Sequence, residues 1–154
     1  MQNTAGYRTE TDQFGEMQIP ADALYGIHAG RARSNFPDRT PFPVEWYRAM
    51  GVVKQSCYLT CKGFSEAVQK KYSGEVPVRI IPAEILEAMT VSAGELASGA
   101  YYDQFIVPSV SGGAGTSINM NVNEIIANAS LVRLGRKPGE YSMIDPIEHA
   151  NVFQ

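Results

Sequence analysis

Apolar residues recur every three or four positions in three separate stretches of the chain, and this spacing predicts three sizeable α-helices. The clearest helix is predicted over residues 44–72. Its buried stripe is expected to consist of Trp46, Met50, Val53, Cys57, Cys61, Phe64 and Val68. Ser73 and Gly74 are expected to end it, because glycine is the usual residue just past a helix terminus. Methionine and aromatic residues at this spacing are typical of a core face and do not indicate a cofactor site.

Two further helices follow along the chain. One is predicted from Pro82, since proline suits the first helical position, to about Gly99. Its buried face is expected to consist of Ile85, Leu86, Met89, Ala93 and Leu96. The other is predicted to start near Thr116 or Ser117, both good N-capping residues, and to end before Gly135. It carries a wide apolar surface made of Ile118, Val122, Ile125, Ile126, Ala129 and Val132.

The N-terminal part of the chain shows a different pattern. Residues 7–20 alternate loosely between apolar and polar positions and turn near Gly15, which predicts a small β-hairpin. Residues 21–42 are rich in turn-forming residues, so they predict mostly loop with a short helix near Ala21–Tyr25.

Two connecting segments complete the chain. Residues 101–110 predict an extended segment in which Pro108 prevents a helix. Residues 135–154 predict loop with a helical start near the end. The fold class expected from the whole pattern is mainly α: a small helical domain with a minor two-stranded β-hairpin near the N-terminus.

Composition narrows the classes of protein. The 154 residues suffice for one domain with its own core, and the net charge of −3 argues against a dedicated nucleic-acid binder. No stretch is long and apolar enough to predict a membrane span, and no secretory signal is recognisable in the first residues. Cys57 and Cys61 would lie on one face of their helix and are expected to be reduced core thiols, with metal and redox roles as alternatives. A cytoplasmic location is expected.

The stretch SGGAGTSINMNVNEIIAN, residues 111–128, carries the candidate chemistry. A helix N-terminus presents unpaired backbone N–H groups and a partial positive charge, glycines let a ligand approach, and hydroxyls add donors. This combination indicates a site for an anion, either a carboxylate or a phosphate. The absence of a lysine after the glycines argues against a nucleotide P-loop, and Ile118 at the position of the third glycine argues against a Rossmann turn. The simpler alternative is a tight connection with a capping hydroxyl.

Several asparagines occupy the helix that follows. Asn119, Asn121 and Asn123 cannot all face water on a helix whose other positions are apolar. Buried amides require hydrogen-bond partners, so these side chains are expected to bind neighbouring loops and to fix the hydroxyls in position. The alternative is a solvated polar strip.

These residues resemble a known family. The stretch GGAGTSINMNVNEIIAN is similar to the GGAGTSxNMNxNEVxAN segment of the aspartase/fumarase superfamily, in the form typical of aspartate ammonia-lyases. Three other segments resemble the family in the same order: IPADALYGIHAGRARSNF, YDQFIVPSVSGG and GEYSMIDPIEHANVFQ. The resemblance covers nearly the whole chain, and it identifies residues 1–154 as a lyase N-terminal domain of this family without the central helix-bundle and C-terminal domains.

The resemblance implies a reaction and a set of site residues. The family eliminates ammonia from L-aspartate to give fumarate, through an aci-carboxylate that needs preorganised hydrogen-bond donors. It implies that Thr116 and Ser117 bind a substrate carboxylate, that Gly115 allows the approach, and that Asn119 and Asn121 support the site. His149 and Asn151 match the family's HVN segment and are secondary candidates.

The resemblance also implies what is missing. The family's GSSxMPxKxN loop, which supplies the catalytic serine base and a lysine, has no counterpart in this sequence. Catalytic residues are therefore not expected in this chain, which is expected to be inactive alone. His28 and His149 are expected to be structural. No cofactor or metal is expected, since the sequence shows no metal-ligand cluster.

Alternatives for the whole protein stay open. The chain is expected to be part of a longer, homotetrameric enzyme that acts on a small dicarboxylate or amino acid, L-aspartate or fumarate. It could instead be a naturally short subunit or a binding module of the same fold. The parent could also be a fumarase-like hydratase acting on fumarate and malate. An unrelated phosphate-binding domain is the remaining interpretation.

Overall fold

The computed structural model describes residues 6–72, 76 and 78–152. It contains a two-stranded antiparallel sheet and four α-helices, which confirms the mainly α fold with an N-terminal hairpin. The elements are β1 (Tyr7–Asp12), β2 (Gly15–Pro20), α1 (Ile27–Asn35), α2 (Val44–Lys71), α3 (Ala83–Ser98), a 3₁₀ turn (Tyr102–Gln104) and α4 (Thr116–Arg133). Among the described residues, no helix combines the length and the apolar character needed to cross a membrane.

The predicted hairpin is confirmed, with Tyr7 paired to Pro20 and Asp12 to Gly15. Gly15 has a positive φ of 106°, a conformation that glycine adopts without steric cost. The Asp12 carboxylate accepts a hydrogen bond of 2.8 Å from the Phe14 backbone N–H. The turn is therefore fixed by its own residues.

The short helix predicted near Ala21–Tyr25 is wrong. These residues form turns, and the helix lies later, as α1 over Ile27–Asn35. The Arg8 guanidinium donates hydrogen bonds to backbone carbonyls across this turn segment, including that of Ala23 at 2.8 Å. Side chains from distant parts of the chain shape this segment, so its local pattern was a poor guide.

The bounds predicted for α2 are confirmed to within one residue, but its buried face is offset from the predicted stripe. Val53 and Phe64 are 47% and 45% exposed. The buried positions are Tyr47, Gly51, Lys54, Tyr58, Cys61, Ser65 and Val68. Gly51 sets this orientation, because a Cβ there would lie 2.4 Å from the Ala97 backbone nitrogen of α3. Polar side chains fill interior positions where they find partners, as the Tyr58 hydroxyl does by donating to the Ala150 carbonyl at 2.7 Å.

Two details predicted around α2 have different outcomes. Cys57 and Cys61 are both free thiols; Cys61 is buried, whereas Cys57 is only half-buried, so the prediction of two packed core thiols holds for one of them. The predicted helix end at Ser73 and Gly74 lies outside the described residues. Tyr72 closes the described part of the helix, with its N–H donating to Val68.

Helix α3 is confirmed in both its bounds and its buried face. Pro82 directly precedes its first residue, and Gly99 follows it in the left-handed conformation with φ 95°. The five apolar positions predicted to be buried are all buried. Here a regular apolar pattern coincides with ordinary start and stop residues, so local information was sufficient.

Helix α4 is the central helix of the domain. Its bounds are confirmed, and every residue from 121 to 131 is buried. It packs against α3 on one side and α1 on another. Val132, predicted to belong to the apolar surface, is 51% exposed because it lies at the end of the helix beyond these contacts.

The segments on either side of α4 are irregular. Residues 101–110 are not extended as predicted: a 3₁₀ turn occupies Tyr102–Gln104, after Tyr101 with a positive φ of 61°. The helical start predicted near the end of the chain is absent from the described residues up to 152, which form turns.

Candidate functional site

The loop before α4 has an unusual backbone. Gly113, Ala114 and Gly115 have φ values of 87°, 53° and 89° in succession. Gly115 occupies the N-cap position and has no side chain with which to cap the helix. The prediction that Thr116 or Ser117 caps α4 is therefore wrong, because Thr116 is already the first helical residue.

This arrangement leaves hydrogen-bond donors free. The Thr116 N–H donates to the Gly113 carbonyl at 3.1 Å, and the Asn119 N–H to Gly115 at 2.9 Å. Within the described part of the chain, the N–H groups of Ser117 and Ile118 have no recorded acceptor, and neither do the hydroxyls of Thr116 and Ser117. Four donors thus converge at the positive end of an 18-residue helix.

Thr116 and Ser117 line an open groove of about 1050 Å³ between α4, α1 and the hairpin. The opposite wall contains His28 and Arg31 of α1. The groove also includes Asp12, Phe14, Asn35, Met120, Tyr141 and Asp145. The free donors of Thr116 and Ser117 therefore face a space large enough for a small-molecule ligand.

The arginine in the groove is bound mainly by neighbouring groups of the chain. Its Nε and Nη2 atoms donate to the two Asp12 carboxylate oxygens at 2.7 and 2.8 Å, and Nη2 also donates to the Gly15 carbonyl at 2.9 Å. This hydrogen-bonded Arg31 guanidinium holds the pKa of Asp12 below its usual value. The charge of Arg31 is therefore balanced by Asp12 within the groove wall.

The asparagines of α4 are mostly buried, which rules out the solvated polar strip. The Asn121 amide oxygen accepts from the N–H groups of Ile106 and Val107 at 2.8 and 3.2 Å, and its nitrogen donates to Gln104. The Asn128 amide binds the Leu24 carbonyl, the Tyr141 hydroxyl and the Gly139 N–H. Both amides fix neighbouring segments and have no atom left for a ligand.

Asn119 and Asn123 form an amide cluster with Asn151. Their Nδ2 groups both donate to the Asn151 oxygen, at 3.0 Å each. The structure thus brings together Asn119 and Asn151, two residues predicted to belong to the site. The Oδ1 atoms of Asn119 and Asn123 are buried and accept no hydrogen bond.

The two histidines lie apart. His28 lines the groove, whereas His149 is 8% exposed and is not part of the groove lining. The Nδ1 atom of His149 accepts from the Asp145 N–H at 2.9 Å. Burial and the nearby Arg79 guanidinium lower the pKa of His149 below its usual value, so its ring is neutral at physiological pH. No group of three or more His, Cys, Asp or Glu side chains that could hold a metal ion occurs in the described residues.

Sequence reasoning missed a polar network behind the groove wall. Its centre is Glu124, which is 1% exposed and accepts hydrogen bonds from the backbone N–H groups of Gly26, His28 and Ala29 at the start of α1. Glu10 accepts the remaining N–H, from Ile27, at 2.8 Å. A signal was present, because Glu124 is the only charged residue between positions 116 and 132. A lone carboxylate among apolar residues indicates a buried acceptor.

Comparison with known proteins places this geometry in a family, although no family model matches the chain. An aspartate ammonia-lyase from Bacillus sp is 39% identical over 149 residues, which is 96% of this chain and 29% of that enzyme. A class II fumarate hydratase from Halobacterium salinarum is 36% identical over 149 residues, which is 28% of its length. The chain thus spans less than a third of these relatives.

Solved structures agree with the sequence comparison. A fumarate lyase/delta crystallin from Brucella melitensis superimposes with a TM-score of 0.82 at 32% identity, covering 95% of this chain and 29% of that one. A class II fumarase from Schistosoma mansoni, at 21% identity and a TM-score of 0.71, shares the fold. With the α4 N-terminus and its glycine-rich loop in the arrangement described, the chain belongs to the aspartase/fumarase family of lyases.

Proposed function

We propose that this chain is the N-terminal domain of an aspartate ammonia-lyase-like enzyme, which eliminates ammonia from L-aspartate to give fumarate. Its contribution is one wall of the substrate site, at the α4 N-terminus. The observation that carries the proposal is the set of four free donors at the α4 N-terminus, of which those on Thr116 and Ser117 line the groove. They match a carboxylate that gains negative charge during the reaction.

Each proposed site residue has a defined part. The hydroxyls of Thr116 and Ser117 and the N–H group of Ser117 donate to the substrate carboxylate. Gly115 has no side chain to obstruct the ligand and adopts the φ of 89° that exposes these donors. Asn121 acts indirectly, because its amide fixes residues 104–107 against the start of α4. Asn119 connects the same helical turn to Asn151.

The described carboxyls that line the groove are all bound within the chain. Asp12 is bound to Arg31, Glu10 to the start of α1, and Asp145 to the N–H groups of residues 147 and 148. We therefore propose that the chain is inactive alone and that central and C-terminal domains complete the site in a cytoplasmic homotetramer. No cofactor is part of the proposed mechanism. His149 remains a secondary candidate because it lies two residues before Asn151 in the segment that resembles the family's HVN.

A fumarase-like parent is the second candidate. The similarity to the Halobacterium salinarum hydratase, at 36% identity, favours it nearly as well as the lyase similarity favours the first. The two candidates differ in the group eliminated, ammonia or water, and share the carboxylate site. Combining this chain with the remaining domains and measuring ammonia release from aspartate against water loss from malate separates them. Activity of the 154-residue chain by itself would overturn the proposed division of the site.

Binding of fumarate to the isolated chain tests the site directly. In ¹⁵N NMR titrations, we expect millimolar fumarate to shift the amide signals of residues 115–118. Thr116→Val removes a donor without changing the side-chain shape and should weaken binding several-fold. Thr60→Val, at an exposed hydroxyl on α2, is the matched control. Absence of these shifts, or equal binding by Thr116→Val, would contradict the proposed site.

A further inference from the structure

The start of α1 is closed by two carboxylates from distant parts of the chain, which we call the α1 carboxylate cap. Glu10 of β1 and Glu124 of α4 together accept all four N–H groups from Gly26 to Ala29, at 2.8 to 3.1 Å. The two residues are 6% and 1% exposed. Oxygens of both lie within 2.9 Å of the position that a Cβ on Gly26 would occupy, so the carboxylates are close neighbours.

The two carboxylates differ in their cation partners. The Arg8 guanidinium donates to Glu10 at 2.8 Å, and the Tyr141 hydroxyl donates to the same Glu10 oxygen at 3.0 Å. Glu124 has no ion pair with any described residue, and its recorded partners are all backbone N–H groups. A buried carboxylate without a cation is costly to ionise, and the neighbouring Glu10 charge adds to that cost.

Opposing influences act on the Glu124 proton. Burial and Glu10 favour the neutral acid, whereas the three N–H groups and the positive end of α1 favour the carboxylate. Burial is the larger influence and raises the pKa of Glu124 to about 8. Both forms of Glu124 are therefore accessible close to neutral pH.

We propose that the α1 carboxylate cap is a proton-responsive joint between α4 and the groove wall formed by α1. In the ionised form, Glu124 accepts the three α1 N–H groups as described. On protonation one oxygen becomes a donor, and the adjacent Glu10 carboxylate is the acceptor within the cluster. The proton therefore changes how one oxygen of Glu124 and one oxygen of Glu10 bind the first turn of α1.

Because the α1 carboxylate cap lies between α1 and α4, protonation of Glu124 affects the groove that these helices line. Glu124 lies two turns after Thr116 on α4, and α1 carries His28 and Arg31 into the opposite wall of the groove. Among the described residues, the titratable neighbours of Glu124 are Glu10 from β1 and Tyr141 from the segment after α4. Arg8 pairs with Glu10, and α1 contributes its backbone N–H groups. A proton bound at Glu124 thus alters the spacing of α1 against the helix that bears the proposed carboxylate donors.

Direct titration of the glutamate side chains tests the inference in the unliganded chain, independently of the proposed function. With ¹³C-labelled glutamate, we expect the Glu124 carboxyl signal to titrate near neutral pH, in step with the amide signals of Gly26, His28 and Ala29. A Glu124 signal that titrates below about pH 5, as for a free glutamate, would overturn the inference. Amide signals that stay fixed while Glu124 titrates would overturn it equally.

Three variants complete the design. Glu124→Gln should abolish the near-neutral transition of the α1 amides, and Glu66→Gln, at an exposed position of α2, should leave it unchanged. His28→Asn removes the one imidazole of α1, so persistence of the transition assigns it to Glu124. Loss of the transition in His28→Asn contradicts the inference. If Glu124→Gln does not fold, the carboxyl titration of the unmodified protein decides alone.

Discussion

The N-termini of α1 and α4 both present backbone N–H groups, but these groups have protein acceptors at α1 and partly lack them at α4. At α1, two buried glutamates accept all four N–H groups, from Gly26 to Ala29. At α4, a glycine occupies the cap, and the N–H groups of Ser117 and Ile118 have no acceptor among the described residues. One terminus is closed by carboxylates of the chain itself, and the other is where we propose that a carboxylate ligand binds.

The largest expected loss of stability follows a substitution at the N-terminus of α1, which the carboxylate cap closes. Glu124→Ala leaves three buried N–H groups without acceptors and opens a cavity beside Gly26. We expect the free energy of unfolding to fall by about 4–5 kcal/mol, measured by urea denaturation. Glu66→Ala, on the exposed face of α2, should change it by no more than about 0.5 kcal/mol. A small effect of Glu124→Ala would mean that the two termini do not differ in their structural role.

The pH dependence of stability follows from the same side chain. Because the pKa of Glu124 is raised to about 8 in the folded protein, the folded state binds the proton more tightly than the unfolded state. The stability from this group is complete below the unfolded pKa and declines as the pH rises towards the folded pKa. Between about pH 5 and pH 8 we expect a loss of roughly 3 kcal/mol attributable to Glu124.

Comparing urea denaturation of the unmodified protein with that of Glu124→Gln over this pH range isolates the contribution of the carboxyl. The variant should lack this part of the slope. Identical slopes in the two proteins would show that the cap does not take up a proton in this range.

Two glycines provide a smaller, matched comparison. A Cβ on Gly26 would lie 2.5 Å from the Tyr141 hydroxyl oxygen, so Gly26→Ala displaces the cap and should cost about 2–3 kcal/mol. A Cβ on Gly115 meets no atom within 4 Å, and Gly115→Ala should cost only about 1 kcal/mol, from its φ of 89°. Thermal unfolding of both variants measures the difference. Equal losses would indicate that the cap can move freely.

The smallest expected change in stability follows a substitution at the N-terminus of α4, where several donors have no acceptor among the described residues. Ser117→Ala removes one hydroxyl that has no protein acceptor, so the free energy of unfolding should stay within about 0.5 kcal/mol of the original. The affinity for fumarate should fall about threefold, as measured by NMR titration. Ser56→Ala, at an exposed hydroxyl of α2, serves as the control for binding. A marked loss of stability in Ser117→Ala would show that this terminus, too, is structural.

How far the sequence predicted the molecule depends on where each element finds its partners. Helix α3 was predicted in full, because its apolar pattern and the flanking Pro82 and Gly99 are local. The bounds of α2 were predicted but not its buried face, since Lys54 and Tyr58 occupy interior positions that a hydrophobic pattern excludes. The position of helix α1 was predicted too early in the chain. The carboxylates that cap it are Glu10 and Glu124, which lie 17 and 98 positions away in the sequence.

The candidate site divides in the same way. The glycine loop and the start of α4 were visible in the sequence, because a helix N-terminus after glycines is a local feature. The burial of Asn121 and its contacts with Ile106 and Val107 depend on tertiary packing. The role of Glu124 could be suspected only from its isolation in an uncharged stretch.

Arg8, the single arginine of β1, limits the insertions and deletions that the turn between β2 and α1 can accept. Its guanidinium donates hydrogen bonds of 2.8 to 3.3 Å to four backbone carbonyls, those of Pro20, Ala21, Ala23 and Tyr25. An inserted or deleted residue in this turn would carry some of these oxygens out of reach of Arg8. The turn between the hairpin and α1 is therefore a poor place for insertions, whereas the exposed loop around Asp38 can accommodate them more easily.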